Sequence, residues 1–136
     1  MLELICDPPL PVVRPKTTES FLQTICLVDG DQLIGQARWL AGVEPGHGVV
    51  QILELTVSSA RRRQGFGRRL MEAVEKQAVG YFRLRKIKLR RLWIAIEQKH
   101  QVVGRSFLMQ FGFNHVGTIS ELLKDEDLLV YMRTFD

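Results

Sequence analysis

The segment from Gln51 to Val74 leads from an apolar run, through a polar break and a basic cluster, into an amphipathic stretch. Most residues of Val49 to Val57 are aliphatic or β-branched, which predicts a buried strand. After the break, apolar side chains return at mostly three- and four-residue spacing: Phe66, Leu70, Ala73, Val74 and Ala78. The pattern predicts a helix from Gly65 to about Phe82, directly behind the strand and its turn.

The Gly65-Phe66-Gly67 step lies at the predicted start of this helix. Glycine permits backbone angles and a close ligand approach that a Cβ would block. The unpaired N–H groups of a first helical turn can bind phosphate, and nearby arginines add positive charge: Arg61, Arg62, Arg63, Arg68 and Arg69. A dinucleotide fingerprint is excluded because position 70 is Leu, and a nucleotide-hydrolase phosphate loop because no Gly-Lys-Ser or Gly-Lys-Thr step occurs. The sequence predicts an anion-binding loop of another kind.

The remaining pattern is Leu-x-Val-x-x-x-x-Arg-x-x-Gly-x-Gly, formed by Leu55, Val57, Arg62, Gly65 and Gly67. It resembles the signature of the GNAT superfamily of acetyl-CoA-dependent N-acetyltransferases. The resemblance implies an α/β (α+β) fold with a mixed, mostly antiparallel central sheet flanked by helices. It also implies an enzyme that transfers an acetyl group from acetyl-CoA to a primary amine by direct attack in a ternary complex. Acetyl-CoA (coenzyme A), without a metal, would bind at Leu55, Val57, Arg62, Arg63, Gln64, Gly65, Phe66, Gly67, Arg68 and Gln101.

The rest of the chain follows an order that agrees with this family from the second strand onward. Strands are predicted at Leu2–Cys6, Phe21–Val28, Gln32–Leu40, Leu92–Ile96, Asn114–Leu122 and Asp127–Phe135. A second helix is predicted at Val102–Phe111, ended by Gly112. By the resemblance, Val49–Val57 is the fourth strand of the family and Leu92–Ile96 lies near the fifth.

Glu54 is the candidate catalytic residue, as the general base. It lies in an otherwise apolar strand, where burial is expected to raise the pKa of a carboxyl group toward a useful value. Regular alternation places Glu54 on one face with Ile52 and Thr56. The opposite face would carry Leu53, Leu55 and Val57. The alternative is an ion pair between Glu54 and an arginine, and the second choice for the base is Glu97 or His100.

One departure from the family pattern concerns the general acid. The segment that ends in Gly112 and Phe113 matches the family's Tyr-x-x-x-Gly-Phe ending, but Leu108 stands where the tyrosine is common. Neither Tyr81 nor Tyr131 is a clear replacement. The leaving thiolate is therefore expected to take its proton from water, since a thiol with a pKa of about 8.5 is a tolerable leaving group.

A second departure is a shortened N-terminal helical region. The family usually places two helices between its first two strands, as one wall of the acceptor site. Here the Asp7 to Ser20 segment holds four of the five prolines, which oppose helix formation. Three alternatives stay open: a homodimer completes the site, a large acceptor lies across an open surface, or the chain is a catalytically weak acyl-CoA-binding or regulatory module.

Composition limits the remaining possibilities. A chain of 136 residues with 46% hydrophobic content suits a single domain over 1–136. No stretch approaches the ~20 apolar residues of a membrane helix, and the N-terminus lacks the pattern of a secretion signal, so a cytoplasmic protein is expected. Cys6 and Cys26 sit among apolar neighbours, which favours reduced thiols over a disulfide or a metal site.

The net charge of +4 is unevenly distributed. A second basic cluster, from Arg83 to Arg91, interleaves cations with apolar side chains, as expected for a solvated helix end and the strand that follows. Nucleic acid is disfavoured as a partner because no aromatic stacking positions accompany these cations. The expected acceptor is an amine whose identity no motif encodes.

Overall fold

In the computed structural model, residues 1–9, 20–42 and 45–135 are described. The chain divides into two compact units, Met1–Leu89 and Arg90–Asp136. Most of the Asp7 to Ser20 segment, where the shortened helical region is predicted, lies outside the described residues. No helix in the described part of the chain is long and apolar enough to cross a membrane.

The first unit is a four-stranded antiparallel sheet with one helix. Its elements are β1 (Leu2–Asp7), β2 (Phe21–Asp29), β3 (Gln32–Ala41), β4 (Val49–Val57) and α1 (Phe66–Leu84). The strands pair in chain order, so each neighbour in sequence is a neighbour in the sheet. Gly30 has a φ of +60° in the turn between β2 and β3. The antiparallel pairing of β2 with β3 confirms the predicted hairpin. A positive φ in a tight turn suits glycine.

One face of this sheet packs against α1 and forms the core of the first unit. Trp39 is fully buried, and its Nε1 donates a hydrogen bond of 3.0 Å to Oε1 of Gln77 on α1. The rings of Phe21 and Tyr81 lie with their centroids 5.3 and 5.7 Å from that of Trp39. The other face bears half-buried and exposed side chains, among them Arg38 and Glu54.

A β-bulge at Leu53 interrupts the pairing of β3 with β4. Arg38 pairs with Glu54, but the next residue of β3, Trp39, pairs with Ile52. Paired residues share a face, so Glu54 points away from α1 whereas Ile52, 1% exposed, points into the core. The prediction that Glu54 and Ile52 share a face is wrong, because the inserted residue reverses the alternation between them.

The second unit is a three-stranded antiparallel sheet with one helix. Its elements are β5 (Arg91–Glu97), α2 (Gln101–Gln110), β6 (Asn114–Leu123) and β7 (Glu126–Thr134). Strand β7 lies between β5 and β6. All the predicted strands and helices are present in the two units, with ends within two residues of those predicted.

Glycine ends α2 as predicted. Gly112 has a φ of +81°, and its N–H donates to the carbonyl of Met109 at 3.1 Å. The N–H of Phe113 reaches back to the carbonyl of Leu108, also at 3.1 Å. These two bonds form a Schellman cap, and the buried side chains of Phe113 and Leu108 supply the apolar residues that usually accompany it. The Gly-Phe ending therefore has a structural role in this chain.

Candidate active site

The loop between β4 and α1 has a fixed backbone conformation. Arg63 and Gly65 both have positive φ, +63° and +80°. Gly65 is the N-cap of α1, and its carbonyl accepts the N–H of Arg69 at 3.1 Å. A left-handed N-cap suits glycine, so the conformational role predicted for Gly65 is confirmed. The predicted helix start is also confirmed, one residue later at Phe66.

Gly67 has a different role from Gly65. It lies in the first turn of α1 and is not among the residues with positive φ, so its backbone conformation does not require glycine. The N–H groups of Phe66 and Gly67 have no acceptor within the helix. The first turn carries no acidic residue, so no negative side chain there opposes an anion at the positive end of the helix dipole.

Two arginines of the loop turn back onto the protein. Arg61 lies 3.5 Å from the carboxylate of Asp29 and donates a hydrogen bond of 3.3 Å to Gln32. Nε of Arg62 donates a hydrogen bond of 3.3 Å to the carbonyl of Val57. These contacts tie the loop to the β2–β3 hairpin and to the end of β4. Arg61 and Arg62 therefore hold the loop in shape.

The other predicted polar residues of the loop face solvent. The side chains of Arg63, Gln64 and Arg68 are exposed. The Arg68 guanidinium lies 4.0 Å from the carboxylate of Glu72, and an exposed pair at that distance is weak. These side chains can turn toward an anion at the helix start. The side chain of Gln101, predicted to contact the cofactor, lies outside the described part of the structure.

The end of β4 is held close to β3. Leu55 and Val57, predicted to contact the cofactor, are half-buried there. The N–H of Ser58 donates to the carbonyl of Ile34 at 2.7 Å. A Cβ added to Gly35 of β3 would lie 2.7 Å from the Thr56 carbonyl oxygen, closer than side chains come. This tight pairing fixes the strand that precedes the loop.

Glu54 is half-buried and is held by two neutral donors. Its Oε2 accepts a hydrogen bond of 3.1 Å from Nε2 of Gln36, and its Oε1 accepts one of 3.4 Å from the Thr56 hydroxyl. Thr56 therefore shares its face, as predicted. No arginine in the described ranges comes within ion-pair distance of Glu54. The alternative of an ion pair between Glu54 and an arginine is therefore not found among the described residues. A carboxylate held by neutral donors keeps its capacity to accept a proton.

Cys26 lies beside this carboxylate. Its Sγ is 3.8 Å from Oε1 of Gln36. Burial raises the pKa of the Cys26 thiol, and the negative charge of Glu54 raises it further. Cys6 is on the other face of the sheet, where its Sγ accepts a hydrogen bond of 3.1 Å from Gln77. Both cysteines are free thiols.

Arg38 is a neighbour of Glu54 that the sequence analysis missed. The two are direct cross-strand partners, and Arg38 is half-buried. Among the described residues, Arg38 has neither an ion pair nor a side-chain hydrogen bond. The alternation of polar Gln36 and Arg38 with apolar Ala37 and Trp39 marked this face, but the pairing with Glu54 depends on the register.

The second choice for the base is engaged elsewhere. The carboxylate of Glu97 lies 2.8 Å from Nζ of Lys99, which is also 4.0 Å from Glu126. The hydrogen bond and the negative charge of Glu97 raise the pKa of Lys99. The side chain of His100 lies outside the described residues. Glu54 is the better placed carboxylate.

The positions considered for a general acid are buried. Leu108 is 2% exposed and can donate no proton. Tyr131 is 1% exposed on β7. Tyr81 belongs to the core on the α1 side of its sheet, away from Glu54, where burial raises the pKa of its hydroxyl and Arg85, over its ring, lowers it. Neither tyrosine is exposed, and the buried Leu108 has no proton to donate.

Most of the chain matches a known protein family. Residues 5–113 match the model of the acetyltransferase (GNAT) family. No curated protein matches the chain. The match covers both the strand–loop–helix segment and the Gly-Phe ending.

Solved structures share the fold. An acetyltransferase of the GNAT family from Elizabethkingia anophelis, with acetyl-CoA bound, is 15% identical, with a TM-score of 0.70 over 98% of each chain. IAA acetyltransferase from Bacillus cereus is 15% identical, with a TM-score of 0.71 over 84% of this chain and 78% of that one. Ribosomal-protein-S18-alanine N-acetyltransferase from Escherichia coli is 17% identical, with a TM-score of 0.63 over 82% of this chain and 67% of that one.

At these identities the likeness carries the fold alone, and it confirms the predicted α+β class with its mostly antiparallel strands. The family match spans most of the sequence and includes every described residue of the candidate site. The chain therefore belongs to the acetyltransferase (GNAT) family.

Proposed function

We propose that this protein transfers an acetyl group from acetyl-CoA to a primary amine by direct attack in a ternary complex. The observation that carries the proposal is Glu54, a half-buried carboxylate without a described counter-charge, in the strand that leads through the loop to the start of α1. Family membership supports acetyl-CoA as the acyl donor, and the position and partners of Glu54 support it as the base. Both parts lie in the first unit of the chain.

The donor would be held by the start of α1. The N–H groups of Phe66 and Gly67 would bind a phosphate of coenzyme A, which the helix dipole favours. The exposed Arg63 and Arg68 would add charge-assisted hydrogen bonds. Gly67 would leave room for the phosphate to approach the backbone.

The reaction requires a neutral amine. Its lone pair attacks the thioester carbonyl carbon, a C–N bond forms, and the C–S bond breaks with its electron pair leaving on sulfur. The proton lost by the amine passes to the carboxylate of Glu54, directly or through one water molecule. The thiolate takes a proton from water, since a thiol with a pKa of about 8.5 is a tolerable leaving group.

In this scheme the hydrogen bonds to Glu54 orient its carboxylate. Gln36 and Thr56 each occupy one lone-pair direction of the carboxylate, so the group has a fixed orientation and still presents free lone pairs. Because both donors are neutral, they stabilise the charged form less than an arginine would. The β-bulge at Leu53 turns Glu54 onto this face, as bulges next to active sites often do for a side chain.

The second candidate function is a catalytically weak acyl-CoA-binding or regulatory module. The observation in its favour is Leu108, which is buried at the position where the family commonly has a tyrosine acid. Such a module would bind acetyl-CoA and release no thiol with any amine.

Substitution of Glu54 tests the proposed function. We expect Glu54→Gln to lower turnover about 100-fold or more while acetyl-CoA affinity changes less than about twofold, because only the proton acceptor is lost. Free-thiol release with an amine panel, product mass and acetyl-CoA titration measure the two effects. Glu3→Gln, a loss of charge at an exposed position of β1, is the matched control. Unchanged turnover in Glu54→Gln would remove Glu54 from the mechanism, and no turnover in the parent protein would favour the binding module.

A further inference from the structure

Arg38 and Glu54 place opposite charges side by side on the sheet face away from α1. They are direct partners in the antiparallel pairing of β3 with β4, so their Cβ atoms are about 5 Å apart. The β-bulge follows immediately and sends the next pair, Trp39 and Ile52, to the core. Nothing in the described chain separates the two charged side chains on their own row.

The two charges nevertheless do not pair with each other. The carboxylate of Glu54 is turned along β4 toward Thr56, at 3.4 Å, and toward Gln36 on the neighbouring row, at 3.1 Å. Arg38 is left without a carboxylate partner among the described residues. Arg38 is half-buried, and an anion that reaches its guanidinium gains a charge-assisted hydrogen bond, of which a planar carboxylate gains two.

We propose that Arg38 binds the carboxylate of the acceptor and that the acceptor is a free amino acid. This inference rests on the proposed function, in which Glu54 takes a proton from the amine. An α-amino acid carries its amine and its carboxylate on one carbon, and adjacent strand partners present a base and a guanidinium side by side. The signs also match, since the negative Glu54 attracts the ammonium form before deprotonation and the positive Arg38 attracts the carboxylate.

Leu22 and Leu40 suggest where the amino acid's own side chain lies. They are cross-strand partners on the row next to that of Arg38, and Leu22 is 39% exposed. Regular alternation from Arg38 puts Leu40 on the same face of β3. An apolar side chain on the acceptor would cover part of this surface, so leucine and phenylalanine are the first amino acids to test.

Matched pairs of ligands test the carboxylate contact. Leucine and phenylalanine are compared with their amides, which keep the amine but resemble the N-terminal residue of a peptide. Binding is measured by titration of the full chain with and without coenzyme A, and turnover by thiol release. We expect each amino acid to bind and to react with a KM about 10-fold to 100-fold more favourable than that of its amide. Equal or tighter binding of the amides would overturn the proposal and point to a peptide acceptor.

Variants of Arg38 test whether this residue binds the carboxylate of the acceptor. We expect Arg38→Gln to abolish the preference for the carboxylate through KM, because the contact binds ground and transition states alike. Arg38→Lys should restore part of the preference, since a lysine keeps the charge but lacks the planar fork. Arg90→Gln, the same substitution at an exposed arginine that has no role in the proposal, is the control. A preference that survives in Arg38→Gln would contradict the assignment.

The two proposals fail in different ways. Carboxylate-selective binding that depends on Arg38, without thiol release, would refute amine acetylation and leave the carboxylate site standing. Thiol release with amides as fast as with amino acids would refute the carboxylate site and leave amine acetylation standing.

Discussion

The partners of Glu54 distinguish it from a carboxylate held in a structural ion pair. An arginine lies on the neighbouring strand position, yet the carboxylate is held by Gln36 and Thr56 instead. An ion pair with Arg38 would stabilise the charged carboxylate and lower its basicity. Neutral donors fix the direction of the carboxylate, and one hydrogen bond to each oxygen leaves lone pairs that can accept a proton from an amine.

The pKa of the Cys26 thiol depends on the charge of Glu54 as well as on burial. Because that negative charge raises the pKa of the thiol, Glu54→Gln is expected to lower the thiol pKa and increase the thiolate fraction. Alkylation of Cys26 by iodoacetamide near pH 8 should therefore be faster in the variant, as followed by peptide mass spectrometry. Cys6, on the opposite face, is the internal control and should react at an unchanged rate. An unchanged or slower rate of Cys26 alkylation in the variant would contradict the prediction that the charge of Glu54 raises the pKa of the thiol.

At the scale of elements, helix α1 joins the fold to the proposed cofactor site. Its apolar side packs on the sheet through residues such as Leu70, Val74 and Ala78, all fully buried. The same packing fixes the direction of its first turn and hence of the free N–H groups. Gly65, in a left-handed conformation, then turns the chain sharply from the loop into this helix.

Gly67→Val tests the first turn of α1 as an anion cradle. The valine side chain would occupy the approach to the backbone, so we expect acetyl-CoA affinity to fall more than about 10-fold while the fold is retained, because valine is tolerated in a helix. Gly80→Val is the matched control, since a Cβ there meets nothing within 4 Å. Titration calorimetry and circular dichroism measure the two effects. Unchanged affinity in a folded Gly67→Val protein would refute the cradle.

The other end of α1 offers a stability prediction. The N–H of Lys86 bonds to the carbonyl of Arg83 and that of Ile87 to the carbonyl of Phe82, which forms a Schellman cap with Lys86 at a φ of +59°. Glycine is preferred at this left-handed position, so Lys86→Gly is expected to raise the free energy of unfolding by about 1 kcal/mol.

Urea denaturation measures the effect of Lys86→Gly. Lys88→Gly, which also removes an exposed lysine but at a position without positive φ, is the control and should be neutral or destabilising. A destabilised Lys86→Gly protein would mean that the lysine side chain makes a contribution larger than the backbone strain.

At the scale of the whole molecule, the chain could be predicted wherever local chemistry decides the structure. Periodicity and glycine positions were enough for α1 and for the end of α2 at Gly112, because caps and amphipathic faces are local. The bulge at Leu53 was missed, since an inserted residue leaves no mark on an apolar strand. Arg38 was missed because its partner is chosen by strand register, which sequence alternation alone does not reveal.

The site could be predicted in part for the same reasons. The loop residues from Arg62 to Arg68 are consecutive in sequence, so their proximity needed no knowledge of the fold. Glu54 was found as the one acidic residue of its strand, but its donors Gln36 and Thr56 depend on tertiary structure. The homodimer and the single-domain organisation stay predictions.

Isothermal titration of the full chain with acetyl-CoA, at two salt concentrations and beside ATP, tests the central claim most directly. The cradle at the start of α1 should bind acetyl-CoA with one site per chain and in preference to ATP, with affinity retained at the higher salt concentration. Absence of binding, or equal binding of ATP that falls steeply with salt, would contradict the account, because nonspecific attraction between phosphates and arginines would then be sufficient.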